Sequence, residues 1–149
     1  MQSHQSIIII LFAILNFVLF IKGYIETRYR KNAFKTVPYV LILFGIFVWG
    51  DAVIISLFFV LTSTLSLILN DWILFLLIFS AFWLVRSLGE TIYYFNQQFS
   101  KVVRQPPKKL PGFWIYQNDS IWFAYQIFVQ CISVITLITT IYLAHLWLG

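Results

Sequence analysis

Charge and cysteine are both scarce in this sequence of 149 residues. Only 10% of the residues are charged, whereas 61% are hydrophobic and 20% are aromatic. This composition excludes an ordinary soluble domain, and long apolar runs are typical of transmembrane helices. The single cysteine, Cys131, cannot form an intrachain disulfide, and on an apolar run we expect it to pack as a small hydrophobic side chain. The composition therefore predicts an integral membrane protein.

Motifs of catalysis and cofactor binding are also missing. The sequence contains no nucleophile elbow, no phosphate-binding loop, and no HExxH or CxxC motif. Its two histidines, His4 and His145, lie near opposite ends of the chain, where isolated histidines are usually plain surface residues. We therefore predict that the protein is not an enzyme and that it holds no cofactor and no metal ion.

Nine of the ten basic residues are concentrated in two connections between apolar runs. One connection holds Lys22, Arg28, Arg30, Lys31 and Lys35, and the other holds Lys101, Arg104, Lys108 and Lys109. Cytoplasmic loops of membrane proteins carry an excess of Lys and Arg, so both connections are predicted to be cytoplasmic. They either serve only as this orientation signal or also bind an anionic inner leaflet. The net charge of +5 thus needs no nucleic-acid partner.

Four apolar runs are long enough to cross a bilayer as helices. They cover about residues 6–24, 38–62 (or 38–69 if the helix extends), 72–98 and 120–147. Pro38 is expected in the first turn of the second helix, where its missing N–H costs nothing. The sequence therefore predicts one all-α domain over residues 1–149. It is an integral membrane four-helix transmembrane bundle with both termini outside and the two basic loops in the cytoplasm.

The tenth basic residue, Arg86, lies in the middle of the third run, four residues before Glu90. On a helix these side chains share a face and can pair. A charge that faces lipid at mid-bilayer costs at least about 2.5–3.5 kcal/mol, so the pair should face other helices or water. If the turn at Asn70 is tight, Asp51 on the second run lies at the same height. The sequence thus predicts a polar layer of Asp51, Arg86 and Glu90.

Polar residues on the other two runs are candidates for the same layer. Gln126 and Gln130 follow helical spacing on the fourth run, and we expect them to hydrogen-bond Arg86 or Glu90. Asn16 interrupts the first run and is expected to hydrogen-bond across a helix interface. The layer has three interpretations: a functional pathway or switch, a polar core that fixes helix register, or a pair that extends to the headgroups.

Two functions of different classes fit this pattern. The first is an oligomeric channel or transporter for protons or small ions, in which Asp51 and Glu90 bind the ion and Arg86 supplies the counter-charge. The second is a non-enzymatic accessory or scaffold subunit, whose polar layer specifies assembly and whose basic loops bind lipid or a partner. In both cases we expect a multi-pass protein of a plasma or inner membrane, in a homo-oligomer or a complex with a membrane partner.

Overall fold

The computed structural model describes residues 1–99, 106–110 and 112–149 of the chain. These residues are helical, with turns and one isolated antiparallel bridge between Thr36 and Val48. The α-helices are α1 (Ser3–Tyr24), α2 (Trp49–Ile68), α3 (Trp72–Phe99), α4 (Phe113–Tyr116) and α5 (Ser120–Leu148). A π-helical turn extends α1 over Ile25–Tyr29, and 3₁₀ helices cover Tyr39–Phe44 and Pro107–Lys109.

Four of these helices are long and apolar enough to cross a membrane, namely α1 with its π-helical turn, α2, α3 and α5. The prediction of an all-α chain with four candidate spans is therefore confirmed for the part of the chain described here. This architecture is compatible with a multi-pass membrane protein. The orientation of the termini and the cytoplasmic placement of the basic loops stay predictions.

The chain divides into two compact units, Met1–Ile78 and Phe79–Gly149. The boundary falls within α3. The first unit contains α1, α2 and the beginning of α3, and the second contains the rest of α3 with α4 and α5.

Helices α1 and α2 pack as an antiparallel pair within the first unit. Gly23, near the end of α1, lies against Ala52, near the start of α2. Eleven residues further back along α1, the rings of Phe12 and Phe59 meet edge to face, with centroids 5.2 Å apart. The absence of a side chain at Gly23 lets the two backbones approach closely, as small residues do between membrane helices.

The structure differs from the sequence prediction at the start of the second span. We predicted a continuous helix from Pro38, but α2 begins at Trp49, and residues 36–48 instead form a hairpin. Its base is closed by the bridge between Thr36 and Val48 and by the N–H of Val37, which donates to the carbonyl of Phe47 at 3.2 Å. We call this segment the 36–48 hairpin.

Two local features explain why this apolar run is not one helix. Gly45 has a φ of 73°, a left-handed conformation that ends the 3₁₀ helix and turns the chain back. Beyond it the backbone at Val48 is extended, and helical geometry resumes only at Trp49. The ring of Phe44 stacks on Phe12 at 5.9 Å, and Phe12 is about 18 Å from the end of α1 at 1.5 Å per residue. The hairpin therefore packs beside the middle of α1.

The core of the second unit contains a cluster of aromatic side chains. Tyr94 of α3 and Trp122 of α5 are buried, with ring centroids 6.1 Å apart. Ile121 and Val129 complete the buried cluster, and partly buried residues around it are Tyr93, Leu110, Phe113 and Tyr125. These contacts place the final turns of α3 against the first turns of α5, so the two helices run antiparallel.

Candidate functional site

Arg86 and Glu90 form an ion pair near the middle of α3. The Nη2 atom of Arg86 lies 3.3 Å from Oε1 of Glu90, one helical turn further along. The side chains are 25% and 15% exposed, respectively, so both are mostly but not fully covered within the chain. The structure thus brings together two of the residues predicted for the polar layer.

A line of polar side chains joins α3 to α5 on both sides of this ion pair. Ser80 bonds the hydroxyl of Thr140 at 2.9 Å, and the hydroxyl of Ser133 donates to that of Ser87 at 2.9 Å. Ser80 also donates to the carbonyl of Thr136 at 3.2 Å. Residues later in α3 pair with residues earlier in α5, which is the antiparallel register that the aromatic cluster also shows. We call these pairs, together with the Gln98 pair described next, the α3–α5 polar line.

The two glutamines predicted for the layer do not hydrogen-bond Arg86 or Glu90. The side chain of Gln98 donates to Oε1 of Gln126 instead. Because Gln98 is eight residues beyond Glu90, this pair lies about 12 Å along α3 from the acid. Gln130 is half-buried and makes no hydrogen bond to any residue in the described part of the chain.

Asp51 belongs to the first unit and lies in the first turn of α2. Its Oδ2 atom accepts hydrogen bonds from the N–H groups of Phe47 at 3.1 Å and Val48 at 3.4 Å. These donors precede the helix and have no carbonyl partner within it, so the carboxylate caps α2 and closes the 36–48 hairpin. We placed Asp51 inside a longer helix, whereas it marks where the helix begins. A layer that joins Asp51 to Arg86 and Glu90 stays a prediction.

Asn16 is fully buried in the first unit, but its side-chain amide hydrogen-bonds to the backbone of its own helix. Its Nδ2 donates to the carbonyl of Phe12 at 2.9 Å, and the predicted bond across the interface is not made within the described residues.

Sequence reasoning missed three buried serines on α2, Ser56, Ser63 and Ser66. Their spacing of seven and three residues places them on one helix face and is the signal that would have found them.

The first basic connection is organised around a buried acid. Glu26 accepts from Nη1 of Arg30 at 2.6 Å through Oε1 and from Nδ2 of Asn32 at 2.9 Å through Oε2. The Nζ atom of Lys22 lies 5.3 Å from the centre of the Trp49 ring, a cation–π distance.

The other predicted loop residues are spread over both connections. Arg28 packs over the ring of Tyr24, Lys31 has a positive φ, and Lys35 accepts from the N–H of Trp49 through its carbonyl. Lys108 is exposed in the short 3₁₀ helix. Lys101 and Arg104 lie outside the described residues, as does the side chain of Lys109. Contact of either connection with an inner leaflet stays a prediction.

Comparisons with protein-family models, curated proteins and solved structures find no match for this chain. Among the residues described, no group of three or more His, Cys, Asp or Glu side chains is placed to hold a metal ion. The geometry of the polar groups is therefore the basis for assigning a function.

Proposed function

We propose that the protein is a non-enzymatic accessory or scaffold subunit that assembles with other membrane proteins or with further copies of itself. The observation that carries this proposal is the pairing and exposure of the polar side chains in the second unit. Three pairs of hydroxyl or amide side chains connect α3 to α5, while the Arg86–Glu90 pair retains an exposed fraction.

The paired side chains favour a role in fixing helix register. Hydrogen bonds between membrane helices contribute about 0.6–2 kcal/mol each, and the α3–α5 polar line has several along its length. Ser87 and Ser133 already satisfy each other, so these hydroxyls are committed to the helix contact. A polar line of this kind specifies which faces of α3 and α5 meet.

The ion pair favours a contact with another protein. Arg86 and Glu90 neutralise each other, but the pair is still strongly polar, and polar side chains exposed to lipid in mid-span are costly. A second protein surface that covers the exposed part of this pair would remove that cost. Polar groups also set the partner and register of helix assemblies in some bundles, which is the role we assign to this face of α3.

An ion or proton pathway is the second candidate function, and one observation favours it. The α3–α5 polar line extends from Ser80 to Gln98, about 27 Å along α3, which is close to the roughly 30 Å of a bilayer core. The ionisable pair lies near the middle of that length. In this alternative, Glu90 and Asp51 bind the ion, and the protein is an oligomer.

One experiment separates the two functions. The full chain is extracted from its membrane without detergent, its particle mass is measured, and pH-jump flux is recorded in liposomes. Glu90→Gln is compared with the charge exchange Arg86→Glu/Glu90→Arg, which keeps an internal ion pair but reverses its direction along α3.

For a scaffold subunit, the protein part of the wild-type particle mass exceeds the 17.6 kDa of one chain, both variants shift towards that mass, and none of the proteins conducts. For a pathway, wild-type flux is lost in Glu90→Gln while the particle mass is unchanged. A wild-type particle of one chain without flux would contradict both functions.

A further inference from the structure

The end of α1 carries a groove that combines an apolar floor with a charged rim. The groove has a volume of about 340 Å³. It is lined by Val18, Ile21 and Ile25 and by the charged residues Lys22, Glu26 and Arg30. Five of these residues lie on α1 or on its π-helical turn and Arg30 directly follows that turn, so the groove is contained in the first unit.

Within the charged rim, Glu26 fixes the position of Arg30. Glu26 is buried and accepts from both Arg30 and Asn32, so the Arg30 guanidinium is fixed while its side chain remains 65% exposed. A guanidinium has five N–H donors, and the contact with Glu26 through Nη1 leaves most of them available. Arg30 reaches Glu26 because the two residues are four apart in the chain, a spacing that brings side chains together on a helix face.

Lys22 provides the second cation of the rim. Its ammonium group lies over the ring of Trp49 and makes no hydrogen bond or ion pair with a described residue. Lys22 and Arg30 together exceed the single charge of Glu26, which gives the rim a net charge of +1. Over residues 22–35 the five basic residues and Glu26 give +4. The rim therefore attracts an anion.

The floor of the groove is suited to a hydrocarbon chain. Val18, Ile21 and Ile25 lie three, four and seven residues apart, so they line one face of the helix, and all three are exposed. From Val18 to Arg30 the groove region spans about 18 Å of helix at 1.5 Å per residue. A free anion would leave this apolar surface uncovered.

We propose that the groove binds one anionic phospholipid, with its phosphate between Lys22 and Arg30 and one acyl chain along Val18, Ile21 and Ile25. Charge complementarity selects an anionic headgroup, because a zwitterionic headgroup brings its own positive charge to a rim that is already positive. The apolar floor selects a lipid over a soluble phosphate. This site is independent of the assembly role proposed above, since it lies in the first unit.

The test is a lipid titration of the purified full chain, read by native mass spectrometry. The probes are phosphatidylglycerol, phosphatidylcholine with the same acyl chains, and the deacylated headgroup glycerophosphoglycerol. We expect one phosphatidylglycerol to bind at least tenfold more tightly than phosphatidylcholine, with no retained glycerophosphoglycerol. Equal affinity for the two lipids would overturn the charge argument, and equal affinity for the deacylated headgroup would overturn the lipid assignment.

Three variants locate the binding site. Lys22→Gln and Arg30→Gln each remove a rim cation, and we expect each to weaken phosphatidylglycerol binding about fivefold, which corresponds to about 1 kcal/mol per basic residue. Lys35→Gln removes the same charge from the same connection but lies outside the groove, so its affinity should stay within twofold of wild type. Equal losses in all three variants would indicate diffuse surface attraction and would overturn the groove. Far-UV circular dichroism verifies that each variant is folded.

Discussion

The contact between Gly23 and Ala52 gives a stability prediction that can be worked from distances. A Cβ added at Gly23 would lie 2.8 Å from Cβ of Ala52 and 3.2 Å from the backbone nitrogen of Val53. Carbon atoms pack best at about 3.5–4.0 Å, so α1 and α2 must move apart by about 1 Å in Gly23→Ala. Overpacking of this size costs about 1–3 kcal/mol.

A second glycine supplies the matched control. Gly89 lies within α3, and a Cβ added there would meet nothing within 4 Å. Replacing a glycine inside a helix by alanine stabilises the helix by about 0.5–1 kcal/mol, and both substitutions share this gain. We therefore expect Gly89→Ala to stabilise the protein, and Gly23→Ala to be less stable than Gly89→Ala by the steric cost of about 1–3 kcal/mol.

The assay is unfolding by SDS titration in mixed micelles, followed by far-UV circular dichroism. The double variant Gly23→Ala/Ala52→Gly removes the nearest clashing carbon and should recover part of the loss, with a coupling of at least about 0.5 kcal/mol. If the Gly23→Ala variant were as stable as the Gly89→Ala variant, the close approach of α1 and α2 would be refuted. Additive effects in the double variant would show that Ala52 is not the obstacle.

Three further substitutions can be measured in the same titration. Gly45→Ala should destabilise the 36–48 hairpin by about 1–2 kcal/mol because an alanine at a φ of 73° is strained, and an unchanged midpoint would contradict that geometry. Asp51→Ala should cost about 0.5–2 kcal/mol by leaving the N–H groups of Phe47 and Val48 without their carboxylate, and it should speed hydrogen exchange at those amides. A double-mutant cycle of Ser87→Ala with Ser133→Ala should give a coupling of about 0.6 kcal/mol, whereas zero coupling would show that their hydrogen bond does not hold α3 against α5.

The long apolar runs were sufficient to predict the four candidate spans, because run length and composition are what bilayer crossing requires. The four-residue spacing of Arg86 and Glu90 likewise predicted their pairing, since that spacing places side chains on one helix face. The 36–48 hairpin was not predictable in this way. An apolar run does not by itself distinguish a helix from another buried conformation. Asp51 acts through hydrogen bonds that form only in the folded chain, and Gly45 through a left-handed conformation that its sequence position permits but does not require.

The position of Gln126 shows a second limit of the sequence. We expected Gln126 beside Arg86 or Glu90, but it pairs with Gln98 two turns further along α3. A tight turn fixes the register of the helices it joins, whereas α3 and α5 are separated by about twenty residues that leave their register free. That register is set by side chains such as Tyr94 and Trp122, whose packing has no simple periodic signal in the sequence.

The two proposed functions predict different behaviour of the hydrogen bonds that Asp51 accepts. Its Oδ2 accepts the N–H groups of Phe47 and Val48, and such bonds are stronger when the acceptor is charged. A cation that binds this carboxylate reduces its charge and weakens both bonds, so a cation pathway through Asp51 must loosen the 36–48 hairpin. Hydrogen exchange at these two amides should then quicken when the cation is added at constant pH, more than at amides inside α2. In a scaffold subunit the carboxylate only caps α2, and cation addition should leave the exchange at Phe47 and Val48 unchanged relative to the other protected amides.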